Sequence, residues 1–175
     1  ENRYDRDVLT LTGRFYFSNI FRTAYRDINP KWGQVFDLQL TTTPWDTKLY
    51  SSKSYARTIL FFPGALPNHS LSLRVGRENQ APARKHLYRN KLPWPRGYDH
   101  NLVAEKLLSF SADYTMPLFY PDLAAGSFLY LKRIRGTLFY DYSKGVDIRN
   151  YADRSFHAGP KRFCSAGSEL MADFY

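Results

Sequence analysis

The sequence predicts an all-β chain, and more narrowly the antiparallel wall of a transmembrane β-barrel. Three observations carry this. Aromatic residues make up 17% of the 175 positions, with 14 Tyr and 13 Phe against 3 Trp and 2 Met, a bias toward extended structure. Apolar and polar residues alternate with period 2 over segments separated by Pro, Gly, Asn and Asp clusters, as in hairpin-connected strands. Across the segments nearly every ionisable side chain falls on the face opposite the apolar one, with Lys132 the clear exception.

Seven strands are expected. In the first, 8–25, Leu9, Leu11, Phe15, Phe17, Phe21 and Tyr25 oppose Thr10, Thr12, Arg14, Tyr16, Ser18 and Arg22. The second, 33–43, sets Phe36, Leu38 and Leu40 against Asp37, Gln39 and Thr41; the third, 49–62, sets Tyr50, Ala56, Leu60 and Phe62 against Lys53 and Arg57. A shorter fourth opposes Leu71, Leu73 and Val75 to Ser70, Ser72 and Arg74. The fifth, 103–118, carries Leu108, Phe110, Ala112, Tyr114, Met116 and Leu118 against Glu105, Ser109, Ser111, Asp113 and Thr115. In the sixth, 128–142, Phe128, Tyr130, Ile134, Leu138, Tyr140 and Tyr142 oppose Arg133, Arg135 and Asp141. The seventh, 164–175, opposes Ala166, Leu170, Ala172 and Phe174 to Glu169 and Asp173.

Several of these segments exceed the ~5–6 residues usual for soluble strands. Aromatics gather near the turns (Phe61, Phe62, Phe119, Tyr120, Phe128, Tyr130), as in an interfacial girdle. Connections at 27–33, 63–68 and 120–126 are short and those at 78–101 and 143–162 long, which fits short periplasmic turns and longer outer loops; the 43–48 connection breaks the rule. The apolar faces are then expected to meet lipid. A wet lumen receives Arg14, Arg22, Asp37, Lys53, Arg57, Arg74, Glu105, Asp113, Arg133, Arg135, Glu169 and Asp173. Bacterial barrels close with an even strand number from 8 upward, and an open edge in lipid leaves backbone groups unpaired. Residues 1–175 are therefore expected to be part of one larger barrel domain. A soluble antiparallel sheet with one amphipathic face is the competing fold.

The net charge of +9 admits nucleic acid, an anionic membrane or an arginine-lined cavity. The basic run 84–91 ("RKHLYRNK") lies in a long loop without recognised RNA-binding signatures, so lipopolysaccharide phosphates, loop ion pairs or plain solvation are preferred to nucleic acid. One cysteine, Cys164, cannot make an internal disulfide. His69, His86, His100 and His157 lack zinc-ligand spacing, and "AGSEL" is not a nucleophile elbow, so no metal, cofactor or enzymatic chemistry is expected. The N-terminus has no apolar signal core, which suits a cytosolic start, a mature chain or a fragment.

Four motifs occur in order: "PRGYDH" (95–100), "FSADYTMPLFYPD" (110–122), "RIRGTLFYDYSKG" (133–145) and "SAGSEL" (165–170). Together they resemble the C-terminal barrel half of the BamA/TamA/FhaC superfamily of outer-membrane insertases and translocators, of bacterial surface antigen type. The resemblance covers roughly 90–175; the chain is also similar to the barrel region of propeller-bearing outer-membrane proteins of Bacteroidota. It implies a Gram-negative outer-membrane location, membrane lipid and client polypeptides or assembly partners as contacts, and help in inserting or translocating polypeptides. It further implies that Arg96, followed by Gly97 and Tyr98, folds into the lumen and meets Asp141, preceded by Phe139. The family glycine after that aspartate is Ser143 here, with Gly145 two residues on. Alternatives are a passive barrel, acting as a pore or an anchor for a periplasmic domain, and a soluble β binding module.

Overall fold

Sustained alternation gives long strands: β1 (Leu11–Ile20), β2 (Gly33–Thr42), β3 (Lys53–Pro63), β4 (Ser70–Gln80), β5 (Leu102–Phe119), β6 (Leu123–Ala125), β7 (Leu129–Asn150) and β8 (Phe156–Phe174). The computed structural model describes residues 9–21, 27–44, 52–80, 88–98, 101–125, 129–150, 152 and 154–174. All pairings are antiparallel, in the order β1-β2-β3-β4-β5-β7, with β6 and β8 also on β7. Leu131 pairs with both Leu123 of β6 and Phe174 of β8, so β6 continues the β5 side of the ladder while β8 forms the far edge. β1 and β8 do not pair, and among the described residues the sheet is open. No helix among them is long and apolar enough to cross a membrane, which says nothing of strands.

Four expectations need correction. Among the described residues there are eight strands rather than seven, because β6 forms within the expected 120–126 turn. β4 runs on to Gln80. The expected 143–162 loop is mostly strand: β7 extends over 22 residues to Asn150, and β8 begins at Phe156. Its turn-forming residues serve a bulge instead. Asp147 takes a left-handed φ of 54° opposite Gly159 at 88°, and Asp147 Oδ1 accepts the Gly159 N–H at 2.9 Å. Pro160 is tolerated because it adjoins that bulge. Finally, Phe61 is not part of a girdle; it lines a cavity on the polar face with Arg74.

Burial is inverted relative to a water-soluble sheet. Asp37, Lys53, Ser70, Ser72, Glu78, Ser109, Ser111, Thr137, Asp141 and Ser143 are buried, whereas Leu40, Leu138, Tyr140, Leu170 and Phe174 are exposed, Leu170 by 72%. Buried charge is costly unless paired and hydrogen-bonded. The polar face meets that demand with cross-strand ion pairs and with loop 88–98, which lies over it. Among the described residues, the buried apolar cluster of Tyr55, Leu92, Ala104, Leu107, Ile148 and Phe163 lies where that loop meets the sheet. Ile148 joins it because the Asp147 bulge reverses the alternation. A second bulge, between Leu131 and Arg133, accounts for Lys132: the side chain that broke the pattern is buried.

Candidate functional site

Loop 88–98 is seated by two glycines in the strands. A Cβ at Gly76 would lie 2.3 Å from Leu92 Cδ2, and one at Gly145 would lie 3.0 Å from the Trp94 ring. Both side chains therefore settle directly on backbone. Trp94 also donates from Nε1 to Leu102 O at 2.9 Å and packs edge-on to Phe163. Ser143 is buried in the strand, and Gly145 is the residue that makes room for Trp94.

Glu78, completely buried, receives the start of the loop. Its carboxylate accepts the backbone N–H groups of Lys91 at 2.9 Å and Leu92 at 3.1 Å, and Asn90 Nδ2 at 3.2 Å. Lys53 balances the charge through an ion pair with Glu78 and donates to Arg89 O at 2.5 Å. Asn90 then clips the loop to β5, accepting Ala104 N–H at 2.7 Å and donating to Ala104 O at 3.1 Å. Gln80 makes the same two-way contact with the backbone of Tyr88.

Arg96 closes the other end. A turn from Pro95 to Tyr98, with the Tyr98 N–H on Pro95 O at 3.2 Å and Gly97 at φ 87°, has the form of a type II turn, in which that position favours glycine. A Cβ on Gly97 would meet nothing within 4 Å, so its role is conformational and not one of close approach. Arg96 Nε donates to Asp141 Oδ2 at 2.9 Å, Nη2 to Asp141 Oδ1 at 3.2 Å and Nη1 to Glu169 Oε1 at 2.9 Å. Nη2 also pairs with Asp113, which is held in turn by Arg74. The guanidinium lies 3.8 Å over the Phe139 ring. Gly167, in register with Phe139, leaves space for that ring; a Cβ there would come within 2.9 Å of it. Ser165 Oγ is 3.5 Å from Asp141 Oδ2, and Tyr98 donates to Cys164 O at 3.2 Å. Burial pulls the Arg96 pKa down, but the hydrogen bonds it donates to Asp141, Asp113 and Glu169 outweigh it and push the group further above its ordinary value. Arg96 stays charged.

All four sequence motifs thus meet at one point: Arg96 from the first, Asp113 from the second, Phe139 and Asp141 from the third, Ser165, Gly167 and Glu169 from the fourth. The other candidate charges form smaller pairs on the same face. Arg14 makes a bidentate contact with Asp37 at 2.8 and 2.9 Å, and Arg57 lies 3.7 Å from Asp37. Arg133 and Arg135 both face Asp173, at 2.5 and 3.4 Å. Glu105 sits across from the Asp147 bulge and makes no ion pair among the described residues; Arg22 lies outside them. Beside Arg96 is a cavity of about 550 Å³, lined among others by Ile59, Phe61, Arg74, Arg135 and Thr137.

The carboxylates around Arg96 are already occupied by a guanidinium, and no His, Cys, Asp or Glu cluster among the described residues has a metal-binding arrangement. What the site can do is hold a loop rigidly across a polar surface. Sequence reasoning missed the Lys53–Glu78–Asn90 end of that attachment. Its signal was present: Glu78 shares the parity of Ser70, Ser72 and Arg74, and Gly76 interrupts the strand between them. Comparison with family models, curated proteins and solved structures gives no match for this chain.

Proposed function

We propose that this chain forms part of the wall of a bacterial outer-membrane β-barrel whose lumen is braced by loop 88–98, and that the barrel assists insertion or translocation of polypeptides. The inverted burial carries the membrane reading. A sheet that hides its ion pairs and exposes Leu, Phe and Tyr suits lipid outside and water inside. From Leu118 to Leu108 the apolar face of β5 runs about 34 Å, or about 26 Å along the membrane normal at the usual tilt, against the ~25 Å apolar band of such barrels. The insertion reading is supported by the resemblance and by the convergence of its four motifs on Arg96.

The test has two steps. Unfolded protein diluted into phosphatidylcholine vesicles is expected to acquire β structure and to resist carbonate extraction. Vesicles carrying it are then given an unfolded barrel client, whose folding is expected to be faster than in empty vesicles. Stable extraction-resistant insertion with no effect on any client would favour the second reading, a passive pore or anchor, for which the many fixed contacts of loop 88–98 speak. A protein that stays in solution as a folded monomer would overturn both.

A further inference from the structure

On the polar face, Arg14, Lys53, Arg57, Arg74, Arg96, Arg133 and Arg135 each face a carboxylate. The apolar face differs. Register places Arg77 of β4 opposite Leu108 of β5, Leu108 opposite Lys144 of β7, and Lys144 opposite Arg162 of β8. Lys106 lies two residues from Leu108 on the same face of β5, opposite Asn79 and Val146. Four cations therefore stand on four adjacent strands, each strand about 4.8 Å from the next. Among the described residues none of the four makes an ion pair. Arg77, Lys106 and Arg162 are exposed, and Lys144 is half-buried.

The row has a sharp apolar border. The next positions toward the sheet centre on that face are Val75, Phe110, Tyr142 and Cys164, followed by Leu73, Ala112, Tyr140 and Ala166. A ligand for this border must present anionic oxygen to the cations and hydrocarbon to the rows beneath. A free phosphate satisfies only the first. We infer that Arg77, Lys106, Lys144 and Arg162 form a binding site for the phosphate headgroups of net-anionic membrane lipids, with the acyl chains lying on the Val75–Phe110–Tyr142 row. The inference rests on the membrane reading above and adds a lipid preference that the reading does not require.

The experiment is arranged so that the two can fail separately. Protein is inserted into phosphatidylcholine vesicles containing a minor fraction of phosphatidylglycerol or of lipid A, and the lipids retained after detergent extraction are quantified by native mass spectrometry. Extraction-resistant insertion into pure phosphatidylcholine is the control on the membrane reading. The expected result is enrichment of the phosphate-monoester or phosphatidylglycerol lipid over phosphatidylcholine, at about fivefold per cation engaged, weakened by 0.5 M salt. The variant R77Q/K106Q/K144Q/R162Q should insert and retain lipids at bulk ratio, whereas K161Q, one charge removed on the opposite face, should behave as the parent. Normal insertion with bulk-ratio lipid in the parent, or equal enrichment in the quadruple variant, would overturn the site. Displacement of the bound lipid by millimolar inorganic phosphate would show a phosphate site without lipid specificity and would overturn it equally.

Discussion

Arg96 reaches one oxygen of Asp141 twice, through its side-chain Nε at 2.9 Å and through its own backbone N–H at 3.2 Å. Position and charge of the loop are therefore fixed by the same carboxylate. Asp141 is almost fully buried, so an unpartnered charge there is expensive, and the residues should behave as a unit.

Arg96→Ala and Asp141→Ala should each lower stability by about 3 kcal/mol, and the double variant should be little worse than either. Arg96→Lys should recover only part of the loss, because an ammonium cannot make the bidentate contact or lie flat on Phe139. Urea unfolding of the four proteins in micelles measures the coupling. Additive losses would refute direct coupling.

Gly167→Ala should destabilise by about 1–2 kcal/mol, since the added methyl meets the Phe139 ring that floors Arg96. Combining it with Phe139→Leu should remove most of the clash while losing the ring under the guanidinium. The same unfolding assay reads both; a neutral Gly167→Ala would show that the ring moves aside freely.

Glu78→Ala leaves Lys53 charged and buried and strips the acceptor from two loop N–H groups, at a cost of about 3–5 kcal/mol. The matched pair Lys53→Met with Glu78→Gln should be milder than Glu78→Ala alone, because the glutamine oxygen still accepts the loop N–H groups. Limited proteolysis within 88–98 provides a second readout.

Gly145→Val should expel Trp94 from its seat, moving its emission toward that of solvent-exposed tryptophan in a variant that keeps Trp94 as the only tryptophan. Unchanged emission would mean that the loop tolerates a shifted strand.

Much of this architecture was legible. Arg14, Asp37, Asp113, Glu169 and Asp173 share the polar parity of their strands, and alternation alone puts them on one face. Alternation also puts Asp141 on that face, but its pairing with Arg96 needed motif resemblance, because nothing in a period-2 pattern says where a loop folds. The missed features have specific causes. Asp147, Gly159 and Pro160 are turn-forming residues used at a bulge and Gly145 seats Trp94, so a real strand looked like a loop. Glu78 lay beyond the apparent end of β4, and its partners Asn90, Lys91 and Leu92 belong to a loop whose inward path depends on tertiary contacts. Lys132 broke the alternation because the backbone itself is bulged there.

The central claim is that the apolar face meets lipid and the polar face does not. Single tryptophans at Tyr140 or Leu170, both exposed on the apolar face, are compared with one at Thr137, which lines the polar cavity, in a background with Trp32, Trp45 and Trp94 replaced by phenylalanine. With the protein inserted in vesicles of bromine-labelled phosphatidylcholine, strong quenching is predicted at positions 140 and 170 and little at 137. Equal quenching at all three positions, or none at 140 and 170, would contradict it.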